Sequence, residues 1–345
     1  MNTLIISIIA FFVSYLSLQI LKKIAFRFNI LDLPGGRKVH KNATALLGGA
    51  GIYLGLLCGV MFILKDMAIF FPVFIAATLI LILGLIEDIR KLSAKQRLFC
   101  QLAISLALIL LSPEVRVSFM PANTFGEIIE IIVTLLWIVG VTNAYNYLDG
   151  LDGLAAGSVI INLFCFSVIL YATTQHLIVV ICLILIAACL GFLPHNFSKN
   201  KIFLGEAGST FLGYMLACIA LIGNWAEDSM VKLFIPILIL GVPIFDMIFT
   251  TIMRIRDGKV RTLIRWLTYG GKDHFHHYLV DIGLSPRGAV IFIYSITLSL
   301  GISAIMVSND KAFEGFLSLV QAAIIAGIIA TLIVAGKHRR SGWNK

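Results

Sequence analysis

Asn143, Asn146, Asp149 and Asp152 recur at steps of three in the run NAYNYLDGLDGL, between two apolar stretches. On a helical turn that spacing projects them roughly to one side. The two carboxylates arrive without a base. They suit a shared metal ion or a metal-bound phosphate, and the amides suit a nucleobase or sugar; a plain loop would need only the two glycines. Glu87 and Asp88 form a second acidic pair, followed at once by Arg90 and Lys91. Such a pair either marks the solvated end of a helix or holds a metal and accepts a proton. The segment Phe203-Leu204-Gly205-Glu206-Ala207-Gly208-Ser209 resembles a Gly-rich turn opening a helix, where free N–H groups favour an anion. Glu206 could there hold a cation that holds phosphates, although Gly and Ser also mark membrane helix contacts. His195-Asn196 follows Pro194 at the end of an apolar run, and Asp246 lies inside another, where an ionisable residue is functional by default. His274, His276 and His277 suit either a metal or a set of cationic donors for phosphate. No cysteine lies nearby, and the acids elsewhere favour a hard ion such as magnesium over zinc. Arg254, Arg256, Lys259, Arg261 and Arg265 precede them as a basic rim that would attract an anion, though topology alone also explains these five.

The elements that must position these groups are set by a lipid solvent. Of 345 residues, 59% are hydrophobic and 13% charged, and the mean hydropathy is +0.99. Soluble domains run about 45–50% apolar and roughly 25% charged. Disordered, collagen-like and secreted disulfide-rich classes are excluded. A span needs about 20 apolar residues, and eleven such runs lie near 3–21, 46–64, 68–86, 98–112, 127–145, 155–173, 176–194, 203–223, 231–251, 288–307 and 314–335. The fold class is therefore all-α, a polytopic membrane protein of about eleven helices forming one body over 1–345. The first run has no small-residue cleavage site and reads as a helix, not a removed signal peptide. With the amino terminus outside, 23 of the 27 Lys and Arg fall in inner loops and the tail, against Lys65, Arg116, Lys232 and Lys311 outside. That is the positive-inside bias, so the net charge of +9 needs no nucleic-acid partner. All six cysteines lie in apolar runs without a CxxC pair and read as packing. Gly51, Gly55 and Gly59 sit four apart and read as a helix contact face. No internal repeat is evident, which weakens a transporter built on paired halves.

Taken in order, these elements resemble the polyprenyl-phosphate N-acetylhexosamine-1-phosphate transferases (the MraY–WecA–TagO superfamily). The early Arg37-Lys38-x-His40 followed by Gly48-Gly49, Glu87-Asp88, the 143–153 run, Asn196, the 203–209 turn, Pro243-Ile244-x-Asp246 and His274-x-His276-His277 carry the likeness. The His-x-His-His form is closer to the WecA/TagO-like branch. The resemblance implies transfer of a sugar 1-phosphate, with N-acetylglucosamine the expected sugar, from a UDP-sugar to a polyprenyl phosphate such as undecaprenyl phosphate, releasing UMP and starting a cell-envelope glycan. It implies a plasma-membrane enzyme with its site facing the cytoplasm and magnesium as cofactor, with manganese as substitute; a homodimer is also allowed for. By resemblance, Asp88 and Glu206 are metal ligands. Glu87, Asp88, Asp149, Asp152, His274, His276 and His277 are catalytic. Arg37, His40, Lys91, Asn143, Asn146, Asn196, Phe203 and Arg254 bind substrate, with Phe203 stacking on uracil and the histidines engaging the diphosphate. The chain departs from the family where Glu87 and Glu206 replace Asp, Ala45 replaces Pro and Arg97 replaces Lys. Two other readings are a non-catalytic lipid-phosphate or nucleotide-sugar binding protein and a transporter. The transporter requires acids near mid-bilayer, whereas most of these sit at the inner boundary.

Overall fold

The computed structural model describes residues 2–33, 43–64, 67, 70–119, 123–262, 271, 273–308 and 312–343; for 229, 312 and 334–343 it describes the backbone alone. The described residues are almost wholly helical and divide into two compact units, Met1–Gly223 and Asn224–Lys345. Among the described residues, nine helices are long and apolar enough to cross a bilayer, or ten if one bent pair counts as a single span. This is a multi-pass membrane protein.

Each of the eleven apolar runs holds helix, yet two do not form a simple span. The second gives α2 (Gly48–Met61), only 14 residues long. At 1.5 Å per residue that reaches about 21 Å, short of a hydrocarbon layer of roughly 30 Å. Its glycines face neighbours closely, as their spacing predicts. A Cβ at Gly51 would meet Leu18, at Gly55 the Ala10 carbonyl, and at Gly59 the Ile184 side chain. The run at 231–251 breaks into α9 (Ser229–Ile239) and α10 (Gly241–Arg256), bent by 76°. Pro236 lies inside α9 and Pro243 near the start of α10; each lacks an N–H for the helical ladder.

In the first unit, α1 (Thr3–Arg27), α2 and α7 (His176–Asn196) pack together, and α8 (Gly205–Ile222) packs with α3 (Phe71–Arg90) and α5 (Thr124–Leu148). α8 is the most enclosed of the candidate spans. Its Gly205, Ala207, Gly208, Ser209, Gly213 and Ala217 let backbones approach where no hydrophobic force separates helix from lipid. α4 (Ala94–Leu111) starts with a capping box in which Ser93 and Gln96 bond each other's backbone. α6 (Leu154–Ala172) completes the set. α3, α5 and α7 end where α4, α6 and α8 begin, so their polar termini gather at one end of this unit. There Leu31–Asp32 and Thr44–Ala45 form a minimal antiparallel pair, and Ala45 also bridges Ile202. These two short strands are not foreseen by an all-α reading.

In the second unit, α9 packs against α12 (Pro286–Val307) and α13 (Ala312–Trp343). The short α11 (Phe275–Asp281) carries two of the three histidines and packs on α10, α12 and α13. The six cysteines are free, as packing residues would be.

Candidate active site

Asp88 stands in the last turn of α3, which closes on Lys91 in the left-handed region (φ 49°). Its carboxylate accepts from the backbone N–H groups of Glu206 (2.9 Å) and Ala207 (3.2 Å), the first turn of α8. An acid there satisfies orphan donors and the positive end of the helix dipole. Two glycines permit the approach. At Gly84 a Cβ would overlap the Ala207 backbone; at Gly205 (φ +76°) it would lie 2.5 Å from the Leu46 carbonyl and 2.6 Å from Asp88 Oδ2. Asp88, expected as a metal ligand, thus engages both oxygens with α8 and fixes where Glu206 begins.

Glu206 projects from that first turn. Its carboxylate lies 2.6 Å from Asn146 Nδ2 and 3.4 Å from an Arg97 guanidinium nitrogen, which also donates to Glu87 Oε1 at 2.9 Å. A carboxylate only accepts, so the Asn146 amide turns its N–H toward Glu206 and its Oδ1 toward the Ser209 hydroxyl at 3.0 Å. Glu87 Oε2 is buried with no partner among the described residues. Two carboxylates, Glu87 and Glu206, share this one guanidinium while Asp88 is held by backbone N–H groups, an oxygen-rich cluster suited to a cation. Among the described residues no three His, Cys, Asp or Glu side chains form a ready metal cage.

α5 ends at Leu148, so the four residues at steps of three do not share one helical face. Asn143 and Asn146 lie on α5, Asp149 caps it, and Asp152 follows in the turn before Gly153 (φ +78°). Burial, then the charges of Glu206 and Asp152, push the Asp149 carboxyl up to about 7. Asp152 is exposed and does have a base. Lys201, from the next inner loop, reaches both its oxygens at 2.9 and 2.7 Å and lies 5.0 Å from the centre of the Phe203 ring. Asn196, expected to touch substrate, is 4% exposed and accepts from Gly153 N–H (2.6 Å) while donating to the Ile202 carbonyl (2.9 Å). Its amide ties two loops together, which corrects that expectation. Asn143 donates to Gln101 and to the Val139 carbonyl, both at 2.8 Å. Lys91 is exposed. Arg37 and His40 lie outside the described residues.

The second unit holds its own polar array. Buried Asp246 accepts from Phe275 N–H (2.6 Å), His274 Nδ1 (3.1 Å) and Thr250 (3.2 Å). Arg254, 3% exposed, grips Asp273 in a fork at 3.1 and 2.7 Å and touches His274 Nε2 at 3.3 Å. A guanidinium only donates, so His274 carries its proton on Nδ1 and gives it to Asp246. Arg254, expected to bind substrate, is therefore engaged with an internal acid. Burial would raise the Asp273 carboxyl, but the Arg254 pair outweighs it and holds the group below the usual carboxylate range. His276 is 1% exposed, and neither ring nitrogen has a hydrogen-bond partner among the described residues. Burial, then the neighbouring His277, lowers it to about 3. That goes against the cationic-donor alternative of the two the sequence allows for these histidines. Its ring lies 4.1 Å from that of His277.

Arg97, Gln101, Lys201, Ser209 and Asp273 fall outside the set expected from sequence. Arg97 had a signal, a base at the start of an apolar run and nine residues after Asp88. The other four gain meaning only through partners remote in sequence or, for Asp273, from the fork of Arg254.

A sequence model described as glycosyl transferase family 4 matches residues 70–224, a stretch holding Glu87, Asp88, Arg97, Asn146 and Glu206. A protein of Bacillus subtilis (strain 168) named probable undecaprenyl-phosphate N-acetylglucosaminyl 1-phosphate transferase is 35% identical over 94% of this chain and 91% of its own length. A decaprenyl-phosphate N-acetylglucosaminephosphotransferase of Mycolicibacterium smegmatis is 30% identical over 95% and 87%. An undecaprenyl-phosphate alpha-N-acetylglucosaminyl 1-phosphate transferase of Escherichia coli (strain K12) is 25% identical over 88% and 85%.

Proposed function

The chain belongs to glycosyl transferase family 4, and from that premise we propose that it transfers N-acetylglucosamine 1-phosphate from UDP-N-acetylglucosamine to a polyprenyl phosphate, releasing UMP. One observation carries the reading. Glu87, Arg97, Asn146 and Glu206, drawn from four helices, meet at one end of apolar spans within the matched stretch. We place that end at the cytoplasmic face of the plasma membrane, because inner loops hold 23 of the 27 Lys and Arg.

The reaction joins two anions. An oxygen of the lipid phosphate attacks the sugar-bearing phosphorus of the donor, a new P–O–P link forms, and the link to UMP breaks with its electron pair leaving on UMP. Charge neutralisation and in-line positioning are what the protein must supply. Magnesium, or manganese in its place, fits these residues: the donors are all oxygen, and Glu87 keeps a buried acceptor without a partner among the described residues. Glu206 and Glu87, with Asn146 beside them, would hold the ion, and Asp88 would position Glu206. Bound there, the metal would offset the diphosphate charge. Arg97 keeps two like-charged carboxylates together. Asp149, near neutrality in its titration, is suited to take the proton of the lipid phosphate. Asp152, Lys201 and Phe203 form the donor-nucleotide side.

The test is UMP release by the purified chain. UMP should form only with UDP-N-acetylglucosamine, polyprenyl phosphate and magnesium together. Binding of both substrates without UMP, under magnesium or manganese, would move the reading to a non-catalytic binding protein.

A further inference from the structure

Gln101 is a large polar side chain 1% exposed, on the membrane-spanning helix α4 one turn beyond Arg97. Its Oε1 accepts from Asn143 Nδ2 at 2.8 Å, while its own Nε2 is buried with no partner among the described residues. An orphan amide in a bilayer costs stability, and an apolar side chain of the same size would avoid that cost. What Gln101 does for Asn143 explains why an amide stands there. Asn143 Nδ2 also donates to the Val139 carbonyl at 2.8 Å. That carbonyl can only accept, so it fixes the sense of the Asn143 amide. Rotated by half a turn, the Asn143 oxygen would face an acceptor at Val139. With both N–H groups committed to Val139 and Gln101, Oδ1 is what remains of the Asn143 side chain for a ligand. Asn143 is half-buried and lies one turn from Asn146, which holds Glu206.

We propose that Gln101 is a positioning residue for the transfer reaction, locking Asn143 so that its carbonyl oxygen accepts from an O–H or N–H group of the donor sugar nucleotide. The proposal rests on the reading that Asn143 meets the donor. Gln101 touches no reacting atom; it acts through Asn143.

The experiment is a double-mutant cycle on the full-length protein in detergent, with Gln101→Met, Asn143→Ala and the pair. Each variant is measured for thermal midpoint and for kcat and KM toward UDP-N-acetylglucosamine. Gln101→Met should lower kcat/KM about tenfold, the worth of roughly one hydrogen bond, while the thermal midpoint holds or rises. Asn143→Ala should lose at least as much, and the double variant should be no worse than Asn143→Ala alone. Wild-type kinetics for Gln101→Met beside an impaired Asn143→Ala would overturn the role of Gln101 and leave the donor reading intact. Near-normal kinetics for Asn143→Ala would instead remove the reading beneath it. A full tenfold further loss in the double variant, or failure of Gln101→Met to fold, would make Gln101 structural and overturn the proposal.

Discussion

Arg97 offers the sharpest perturbation, because one guanidinium holds two carboxylates that would otherwise repel. It lies 2.9 Å from Glu87 and 3.4 Å from Glu206, with side-chain exposures of 14%, 11% and 36% in that order. Breaking a fully buried ion pair by removing one partner costs about 3–5 kcal/mol. The partial exposure of Glu206 screens its share, so a net loss of about 2–3 kcal/mol is a fair order of magnitude for Arg97→Ala. That figure is a cost to folding; because the same contacts hold Glu87 and Glu206 where the metal and diphosphate must be met, a loss of similar size is expected in the transition state, a fall in kcat/KM of roughly 30- to 150-fold. Arg97→Lys retains the charge but not the planar guanidinium whose one nitrogen meets both acids, and Lys is the residue usual at this position in the family the sequence resembles. It should lose no more than about tenfold. The same change has a second signature. Without the guanidinium that Glu87 and Glu206 share, the acid cluster is more negative, so the magnesium concentration for half-maximal rate should fall in Arg97→Ala even as turnover drops. The assay is UMP release against magnesium, with thermal midpoints to confirm folding. Turnover of Arg97→Ala within twofold of the parent would refute the argument, as would a raised magnesium requirement.

Gly205→Ala forces a side chain into positive φ and against both the Leu46 carbonyl and Asp88; about 2 kcal/mol or more of stability should be lost, read as a lower thermal midpoint with UMP release abolished. The Asp149 carboxyl is raised in the folded state to about 7 by burial and then by Glu206 and Asp152, so the fold favours its protonated form and loses that advantage as pH climbs through 7. Asp149→Asn should accordingly melt higher than the parent at pH 8, with the gap closing toward pH 5. If Asp149 takes the lipid-phosphate proton, the parent's kcat should rise through pH 7 and the variant should lack that limb. Lys201→Ala removes an exposed pair worth about 0–1 kcal/mol, so its thermal midpoint should scarcely move while KM for the UDP-sugar rises. Asp152→Asn should abolish turnover while leaving expression intact; near-normal rates would remove Asp152 from the site.

Spans were legible because a lipid solvent imposes a length and a composition, and each apolar run became helix. α2 and the α9–α10 break show the limit. Hydropathy counts apolar residues, whereas five glycines drawing α2 against its neighbours and two prolines bending 231–251 act through backbone geometry. Within the site, Glu206 and Asn146 were legible as polar groups at odds with their surroundings, and the structure brings them together. Asn196 and Arg254 looked the same from sequence yet serve as ties within the protein. Whether a buried amide or guanidinium faces a ligand or a carbonyl depends on which loop folds beside it, and nothing local encodes that. Lys201 makes the same point in reverse. The 143–153 run carries acids without a base because its base lies 49 residues after Asp152.

The central claim concerns which bond breaks, and an isotope at one atom decides it. Donor UDP-N-acetylglucosamine carrying ³²P in the sugar-linked phosphate is supplied with polyprenyl phosphate, magnesium and the purified protein. The label should move into the lipid fraction while unlabelled UMP appears in equal amount. Label left in the aqueous phase as UDP, with sugar alone on the lipid, would contradict the account.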